Sequence, residues 1–203
     1  MKRISYILEE NQRIKNLKDM IDNFETFEHK FNSDDEYRLI RLIARNKDNT
    51  GLNGSIKTFI NDNTHPLSNL KERIKIICDK LHCRAYIDIN IKSKINTANK
   101  MLELLSLDYT NKNFDNLIRL HEKASDQSIK LSKNYLLDID TKNISIDIFK
   151  SLYEDISIIE TLNGYHIISQ NKSTLYNVHN RIYNNYFIDT EVKENSPSIL
   201  YIG

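Results

Sequence analysis

The order of patterns along the chain predicts a mixed fold of helices and sheets, α/β or α+β. Three observations lead there. Strand and helix signals alternate as strand–helix–strand and then strand–helix–strand–strand–helix–strand. Arg84 to Ile91 (RAYIDINI) alternates apolar and polar residues at the two-residue period of a half-buried strand. Only 4 Gly and 2 Pro occur in 203 residues, so no flexible linker is evident and most of the chain belongs to regular structure.

Residues 5–31 read as a long amphipathic helix, with Ile14, Leu17, Ile21, Phe24 and Phe31 at helical spacing among charges. Tyr37 to Ala44 (YRLIRLIA) reads as a strand. Residues 49–63, with Gly51, Asn53 and Gly54, read as a loop carrying one short apolar element at 56–60. Thr64-His65-Pro66 starts a helix, because proline suits the first turn. That helix carries Leu67, Leu70, Ile74, Ile77 and Leu81 on one stripe. After the 84–91 strand, Ser93 caps a helix expected to turn Ile95, Ala98, Met101, Leu102 and Leu105 inward. A second helix covers about 112–125 and presents Phe114, Leu117, Ile118 and His121. There follow a strand at about 134–140, a helix at about 145–154, strands at about 156–161 and 164–170, and a helix at about 172–184. Tyr186 to Asp189 is expected to be extended, and Ser198 to Ile202 closes the chain as a strand. There is no internal repeat or low-complexity segment.

With 29 basic against 28 acidic residues, the formal charge is +1, and only local patches can argue for a polyanionic partner. No apolar run approaches the roughly 20 residues that cross a bilayer, so no membrane association is expected. The start, MKRISYILEENQR, turns polar too early for a secretory signal. Cys78 and Cys83 are too few for a disulfide framework, which makes a reducing cytoplasm the expectation. Together with His82 they resemble part of a metal cluster, but a zinc site needs a second ligand pair and none has suitable spacing. Cys78 sits beside the apolar stripe of its helix and reads as a buried thiol. The phosphate loop G-x-x-x-x-G-K-S/T, the dinucleotide turn G-x-G-x-x-G, the elbow G-x-S-x-G and H-E-x-x-H are all missing.

Chemistry concentrates in two runs. In Tyr135-Leu136-Leu137-Asp138-Ile139-Asp140, strand alternation puts Asp138 and Asp140 on one face with α-carbons roughly 7 Å apart. The like charges repel, and a divalent cation between them relieves that; carboxylate oxygens suit Mg²⁺ or Mn²⁺. The bland alternative for a lone D-x-D is a polar strand face. It is weakened by the apolar Leu136-Leu137 before the pair and by a later Asp189 after Phe187-Ile188. Three aspartates can hold two cations for phosphoryl transfer. In the second run, Asn163-Gly164-Tyr165-His166-Ile167-Ile168, His166 shares a strand face with Ile168 and Gln170 and can donate to a triphosphate. A packed core histidine is the commoner reading of such a residue. Arg84, Asn90 and Lys92, with Arg45 and Lys47 after the preceding strand, could form a polar face that meets nucleotide or template phosphates.

The ordered set Asp138-x-Asp140, Gly164-Tyr165-His166 and an apolar-flanked Asp189 resembles the catalytic core of the archaeo-eukaryotic primase (primase-polymerase) superfamily. Members carry an h-h-D-h-D strand, a small-x-H strand and a later h-D strand. Small phage-encoded proteins share this order, with a strand like Arg84-Ala85-Tyr86-Ile87-x-x-Asn90 before it and an ending like Asn195-Ser196-Pro197-Ser198-Ile199-Leu200-Tyr201-Ile202 after it. The resemblance spans about 37–202. It implies an α+β fold as one domain over 1–203: an N-terminal helix (1–32), an N-terminal αβ module (33–130) and an RRM-like catalytic module (131–203), with the site in the cleft between modules. Asp138, Asp140 and Asp189 would hold Mg²⁺ or Mn²⁺, and His166 would contact the nucleotide's phosphates. The histidine strand departs from the family's frequent Ser-x-His by carrying Asn-Gly-Tyr before the histidine.

The reading is a metal-dependent nucleotidyltransferase of primase-polymerase type. Its partners would be nucleoside triphosphates, single-stranded or template nucleic acid and other replication proteins, in the cytoplasm, that of the host if phage-encoded. Two alternatives stand beside it: a non-catalytic nucleic-acid-binding or host-directed phage protein with the same fold, and a metal-dependent nuclease. Geometrically, Asp138 and Asp140 should be partly exposed in a cleft above buried Leu137 and Ile139. His166 should lie roughly 5–10 Å from the carboxylates on the same sheet face, and Asp189 should enter from a third strand. Relief of repulsion predicts that Asp138→Ala costs little stability.

Overall fold

The computed structural model describes residues 21–45, 48, 51, 53–110 and 117–203. The elements are α1 (Phe24–Phe27), β1 (Glu36–Ala44), β2 (Gly54–Asn61), α2 (Leu67–Leu81), β3 (Arg84–Asp88), β4 (Lys92–Ser93), α3 (Lys94–Thr110) and α4 (Leu117–Gln127). They continue with β5 (Tyr135–Ile139), α5 (Asp147–Leu152), β6 (Ile156–Glu160), β7 (Tyr165–Ser169), α6 (Lys172–Tyr186), β8 (Glu191–Glu194) and β9 (Pro197–Ile202). Two antiparallel sheets with helices make the class α+β. Among the described residues no helix is long and apolar enough to cross a membrane.

The first sheet runs β2-β1-β3-β9, with β4 also on β1. Helix α2 lays Leu67, Leu70, Ile74 and Cys78 against Ile40, Leu42, Ala85 and Ile87 of this sheet, as its stripe predicts. The helix closes at His82 in the left-handed conformation (φ 46), and the Cys83 N–H donates to the Cys78 carbonyl at 3.1 Å. Both cysteines are buried free thiols. The second sheet runs β6-β7-β5-β8, joined in the order β5-α5-β6-β7-α6-β8. Its odd-numbered β5 residues Leu137 and Ile139 pack on Phe149 of α5 and on Leu175, Val178 and Ile182 of α6. The opposite face presents Leu136, Ile159 and Ile168 to Ile199 and the first sheet's core. Strands β8 and β9 lie in different sheets, and the crossing between them turns at Asn195 (φ 55), a left-handed position that asparagine tolerates.

Several expectations are corrected. The long N-terminal helix falls largely on residues 1–20, outside the described residues; of 21–32, only the single turn Phe24–Phe27 is helical. Asn23 spends its backbone N–H on the Leu200 carbonyl (2.9 Å) and its side-chain amide on the Ile199 carbonyl (3.1 Å), tying this segment to β9. The expected loop at 49–63 contains β2, which pairs with β1 along its length. The strand at 84–91 ends at Asp88. There the Asn90 side-chain oxygen captures the Asn134 N–H (2.5 Å) and Ser132 Oγ captures the Ile91 N–H (2.7 Å), diverting the backbone from the ladder. Helix α3 buries Thr97, Leu104 and Asp108, and leaves Ile95, Leu102 and Leu105 exposed instead of inward.

Candidate functional site

Strand β5 sits between β7 and β8, and register alone brings its aspartates to the site. Asp138 lies directly opposite His166 on β7 and Glu191 on β8, so all three project to one face. Leu137 and Ile139 are fully buried, Asp138 is half-buried and Asp140, one residue past the strand, is exposed. That is the expected alternation. The β6–β7 turn is pressed against the end of β5 at Gly164, where an added Cβ would lie 1.8 Å from the Ile139 carbonyl oxygen and 2.6 Å from the Thr141 nitrogen. Only glycine fits there. The turn is closed by the Gly164 N–H on Thr161 Oγ1 (3.0 Å), which sets Thr161 and Asn163 at the cleft.

His166 is nearer to the carboxylate than expected. Its Nε2 is 3.4 Å from Asp138 Oδ1, and its Nδ1 is 2.9 Å from Ser198 Oγ on β9. The 5–10 Å expectation allowed a strand adjacent to, or one removed from, that of Asp138; His166 is on the adjacent strand, and direct cross-strand opposition shortens the distance. Lys193 of β8 donates from Nζ to Asp138 Oδ2 at 2.7 Å and is 3.6 Å from Glu191 Oε2. His166 first, and Lys193 next, hold the Asp138 carboxyl far below the usual carboxylate range, against the opposing effect of burial. The same contact pushes the Lys193 ammonium up.

Asp138 and Asp140 wall two cavities. One, of about 370 Å³, is acidic: Asp189, Thr190, Glu191 and Lys193 complete it. The other, of about 340 Å³, lies between the sheets and adds Arg45, Arg84, Tyr86, Asn163, His166 and Ser196 over an apolar floor of Leu136, Leu162, Ile199 and Ile202. Asp189 therefore does arrive beside the aspartate pair, but from the loop between α6 and β8 and not from a strand. Among the described residues no three His, Cys, Asp or Glu side chains are drawn together closely enough to hold a metal ion. The Asp138 oxygens are engaged by His166 and Lys193 instead.

The basic residues divide. Arg84 lines the cleft, but its Nε and Nη2 form a bidentate pair with Asp48, both at 2.6 Å. Arg45 is exposed at the same cleft, its Nη1 3.4 Å from the Tyr86 hydroxyl. Asn90 and Lys92 do not face this cleft. They line a separate cavity of about 170 Å³ with Arg41, Asp88, Asp126 and Lys130. There Lys92 Nζ bonds Asp88 (2.5 Å), Ser125 (2.7 Å) and Asp126 (3.3 Å), while Asn90 ties Asn134 to Asn195. Their polar atoms serve internal cohesion. Lys47 lies outside the described residues.

Sequence reasoning missed Lys193, Glu191, Ser198 and Tyr86. Lys193 and Glu191 reach Asp138 only because β8 pairs with β5 in this register, for which no single-sequence signal exists. Ser198 stands within the ending quoted for the family-like pattern, and it supplies His166 with the hydroxyl that the Asn-Gly-Tyr sequence before it lacks. No family model, no curated protein and no solved structure matches this chain.

Proposed function

We propose that the protein is a metal-dependent nucleotidyltransferase of primase-polymerase type, acting on nucleoside triphosphates and nucleic acid. The observation that carries this reading is the double role of Asp138 and Asp140, which wall an acidic cavity on one side and a cleft with Arg45, Arg84 and His166 on the other. A phosphoryl group needs both at once: carboxylates for a cation and cationic donors for its oxygens. The β5-α5-β6-β7-α6-β8 order with strands arranged β6-β7-β5-β8 fits an RRM-like sheet, the framework the primase-polymerase resemblance implies. The oxygen-only set Asp138, Asp140 and Asp189 would suit Mg²⁺ or Mn²⁺ if Lys193 left Asp138 Oδ2 and the three carboxylates, which line one cavity, closed in on the ion. Bound there, such a cation would lower the pKa of an attacking hydroxyl and neutralise the departing pyrophosphate.

In this scheme His166 keeps its ring oriented by Ser198 and offers a donor toward the phosphates, while Arg45 and Tyr86 border the nucleotide from the first sheet. Other replication proteins and a cytoplasmic setting, that of a host if the chain is phage-encoded, belong to the same proposal. The test is incubation with template, labelled nucleoside triphosphates and Mg²⁺ or Mn²⁺, reading extension and degradation together. Extension that disappears in Asp138→Asn supports the reading. Degradation without added triphosphates would instead identify a nuclease using the same carboxylates.

A non-catalytic nucleic-acid-binding protein with the same fold is the second reading. What favours it is that the site's charges are already engaged: Asp138 is held by His166 and Lys193, and Arg84 by Asp48. Nucleic-acid binding without extension in either metal would select it.

A further inference from the structure

Cys78 and Cys83, the two cysteines of the chain, are both fully buried thiols, and the candidate site uses neither. They stand at the two ends of one helix cap. With His82 left-handed (φ 46), the Cys78 carbonyl accepts the N–H of His82 and, at 3.1 Å, the N–H of Cys83. A bond from the sixth residue back to the first marks a Schellman cap, whose first and sixth side chains commonly touch as an apolar pair. Here both of those side chains are thiols. One hydrogen bond of 3.1 Å joins their backbones, so their α-carbons lie less than about 7 Å apart. Disulfides join α-carbons roughly 4.4–6.8 Å apart. The side chains meet as well. Contact with Cys78 draws the Cys83 thiol down from its ordinary range against the opposing effect of burial, while contact with Cys83, and burial next, push the Cys78 thiol far up. Gly203 holds the cap in place: its N–H donates to the Cys83 carbonyl (3.1 Å), and an added Cβ there would lie 2.0 Å from the Cys78 carbonyl carbon. Asp79, Lys80 and His82 beside the pair are exposed, so the thiols lie just under the surface at a helix end, where local opening costs least.

We propose that Cys78 and Cys83 are a modification site for hydrogen peroxide, closing to a reversible intrachain disulfide within the folded protein. The Cys83 thiolate attacks one peroxide oxygen, the O–O bond breaks, and the leaving hydroxide takes up the proton that Cys83 gave up, forming water and a Cys83 sulfenic acid. Cys78 then loses its proton and attacks the Cys83 sulfur; the S–O bond breaks, and hydroxide leaves with that proton as a second water. Two thiols and one peroxide become one disulfide and two waters, the sulfurs being oxidised and the peroxide oxygens reduced. The product fastens the end of α2 to β3 one residue before Arg84, which pairs with Ile202 and lines the cleft. In a reducing compartment such a bond is transient, and a free dithiol already shaped for it can close and reopen without rearranging the fold. The inference is independent of the nucleotidyltransferase reading, because neither sulfur lines the cavities around Asp138.

The experiment exposes the full chain, folded and reduced, to hydrogen peroxide, removes the peroxide, and then alkylates in urea before intact-mass measurement. The main product should be a single chain lighter by two hydrogens and closed to alkylation, and dithiothreitol should return it to a form that takes two alkyl groups. Trypsin cuts after Lys75, Lys80 and Arg84, so before reduction the Ile76–Lys80 and Leu81–Arg84 peptides should travel as one linked pair. Because the cap keeps its geometry, the oxidised protein should melt at least about 3 °C above the reduced one. Cys78→Ala should form no linked pair and should instead accumulate a Cys83 sulfenic acid that dimedone traps. Thiols that both remain open to alkylation after peroxide, and close only when peroxide is added in urea, overturn the proposal. So do a disulfide between two chains, a melting temperature that falls on oxidation, and a Cys83 that takes no dimedone in folded Cys78→Ala.

Discussion

At Asp138 two nitrogen groups meet one carboxylate, His166 Nε2 on Oδ1 and the Lys193 ammonium on Oδ2. The sequence alone suggests carboxylate repulsion between Asp138 and Asp140, and hence a nearly free Asp138→Ala. The geometry reverses that expectation, because the charged form of Asp138 is stabilised in the folded protein and removal strands both partners. Asp138→Ala should cost about 2 kcal/mol in urea unfolding at pH 7, the order of a lost charge-assisted hydrogen bond at a partly solvated site. The sign with pH follows from a depressed folded pKa. The contribution is complete above the unfolded aspartate value near ~4 and is lost as pH falls below it toward the lower folded value. The gap between parent and variant should therefore shrink between pH 5 and pH 2. Equal unfolding midpoints at pH 7 would show that the two contacts carry no stability.

Helix α3 shows how far periodicity reaches at the scale of an element. Its existence and its start were legible, since Ser93 Oγ accepts the Asn96 N–H (3.0 Å) as an N-terminal cap should. Its inward face was not. Ile95, Leu102 and Leu105 form the more apolar stripe, yet the helix packs on α4 through Leu104, with Thr97 and Asp108 also buried, because the Thr97 hydroxyl finds partners inside. Thr97 bonds the buried Tyr37 hydroxyl (2.8 Å) and Ser128 (3.2 Å). A polar network can thus outbid an apolar stripe, and a single sequence does not announce it. The assignment is testable by a pair of truncations. Leu104→Ala, at a side chain 6 % exposed against Leu120 and Ala124, should lose about 2–3 kcal/mol. Leu102→Ala, at one 66 % exposed, should stay within about 0.5 kcal/mol. The reverse order in thermal or urea unfolding would mean that α3 packs by its other face. Strand β3 teaches the same lesson. Its alternation is clear to Ile91, but side-chain oxygens of Asn90 and Ser132 end the ladder at Asp88.

Across the whole molecule, the meeting of two sheets makes the candidate site, and this is where sequence reading was both most and least successful. Asp138, Asp140, Asp189, His166, Arg84 and Arg45 do converge on adjoining cavities, because strand alternation and strand order are strong constraints. Asn90 and Lys92 were grouped with them because they continue the polar side of the same strand. The bend after Asp88 carries them to another cavity, where Lys92 meets the buried Asp88 carboxylate and Asn90 bonds Asn134 and Asn195. That cavity gives a prediction for the folded state as a unit, since it joins β1, β3, β4, α4 and the crossing into β9. Lys130 donates to the Ser125 carbonyl (2.5 Å) and the Asp126 carbonyl (2.8 Å) there, facing Lys92 and Arg41 as well as Asp88 and Asp126. Burial first, and the Lys92 ammonium next, push the Lys130 ammonium down to about 8. An unfolded lysine keeps its proton to about 10.4, so between these values the unfolded chain binds more protons than the folded one. Stability must then rise with pH across that window, because the folded state sheds a charge it holds unfavourably while the unfolded state still carries its own. Urea unfolding of the parent and of Lys130→Met from pH 7.5 to 10.5 isolates this effect, since tyrosine and cysteine titration is common to both proteins. The parent should gain on the variant from about pH 8 to about pH 10 and run parallel to it below pH 7.5. A constant difference across the range would mean that Lys130 titrates in the folded protein as it does in the unfolded chain, and that this cavity is more open to water than its contacts imply.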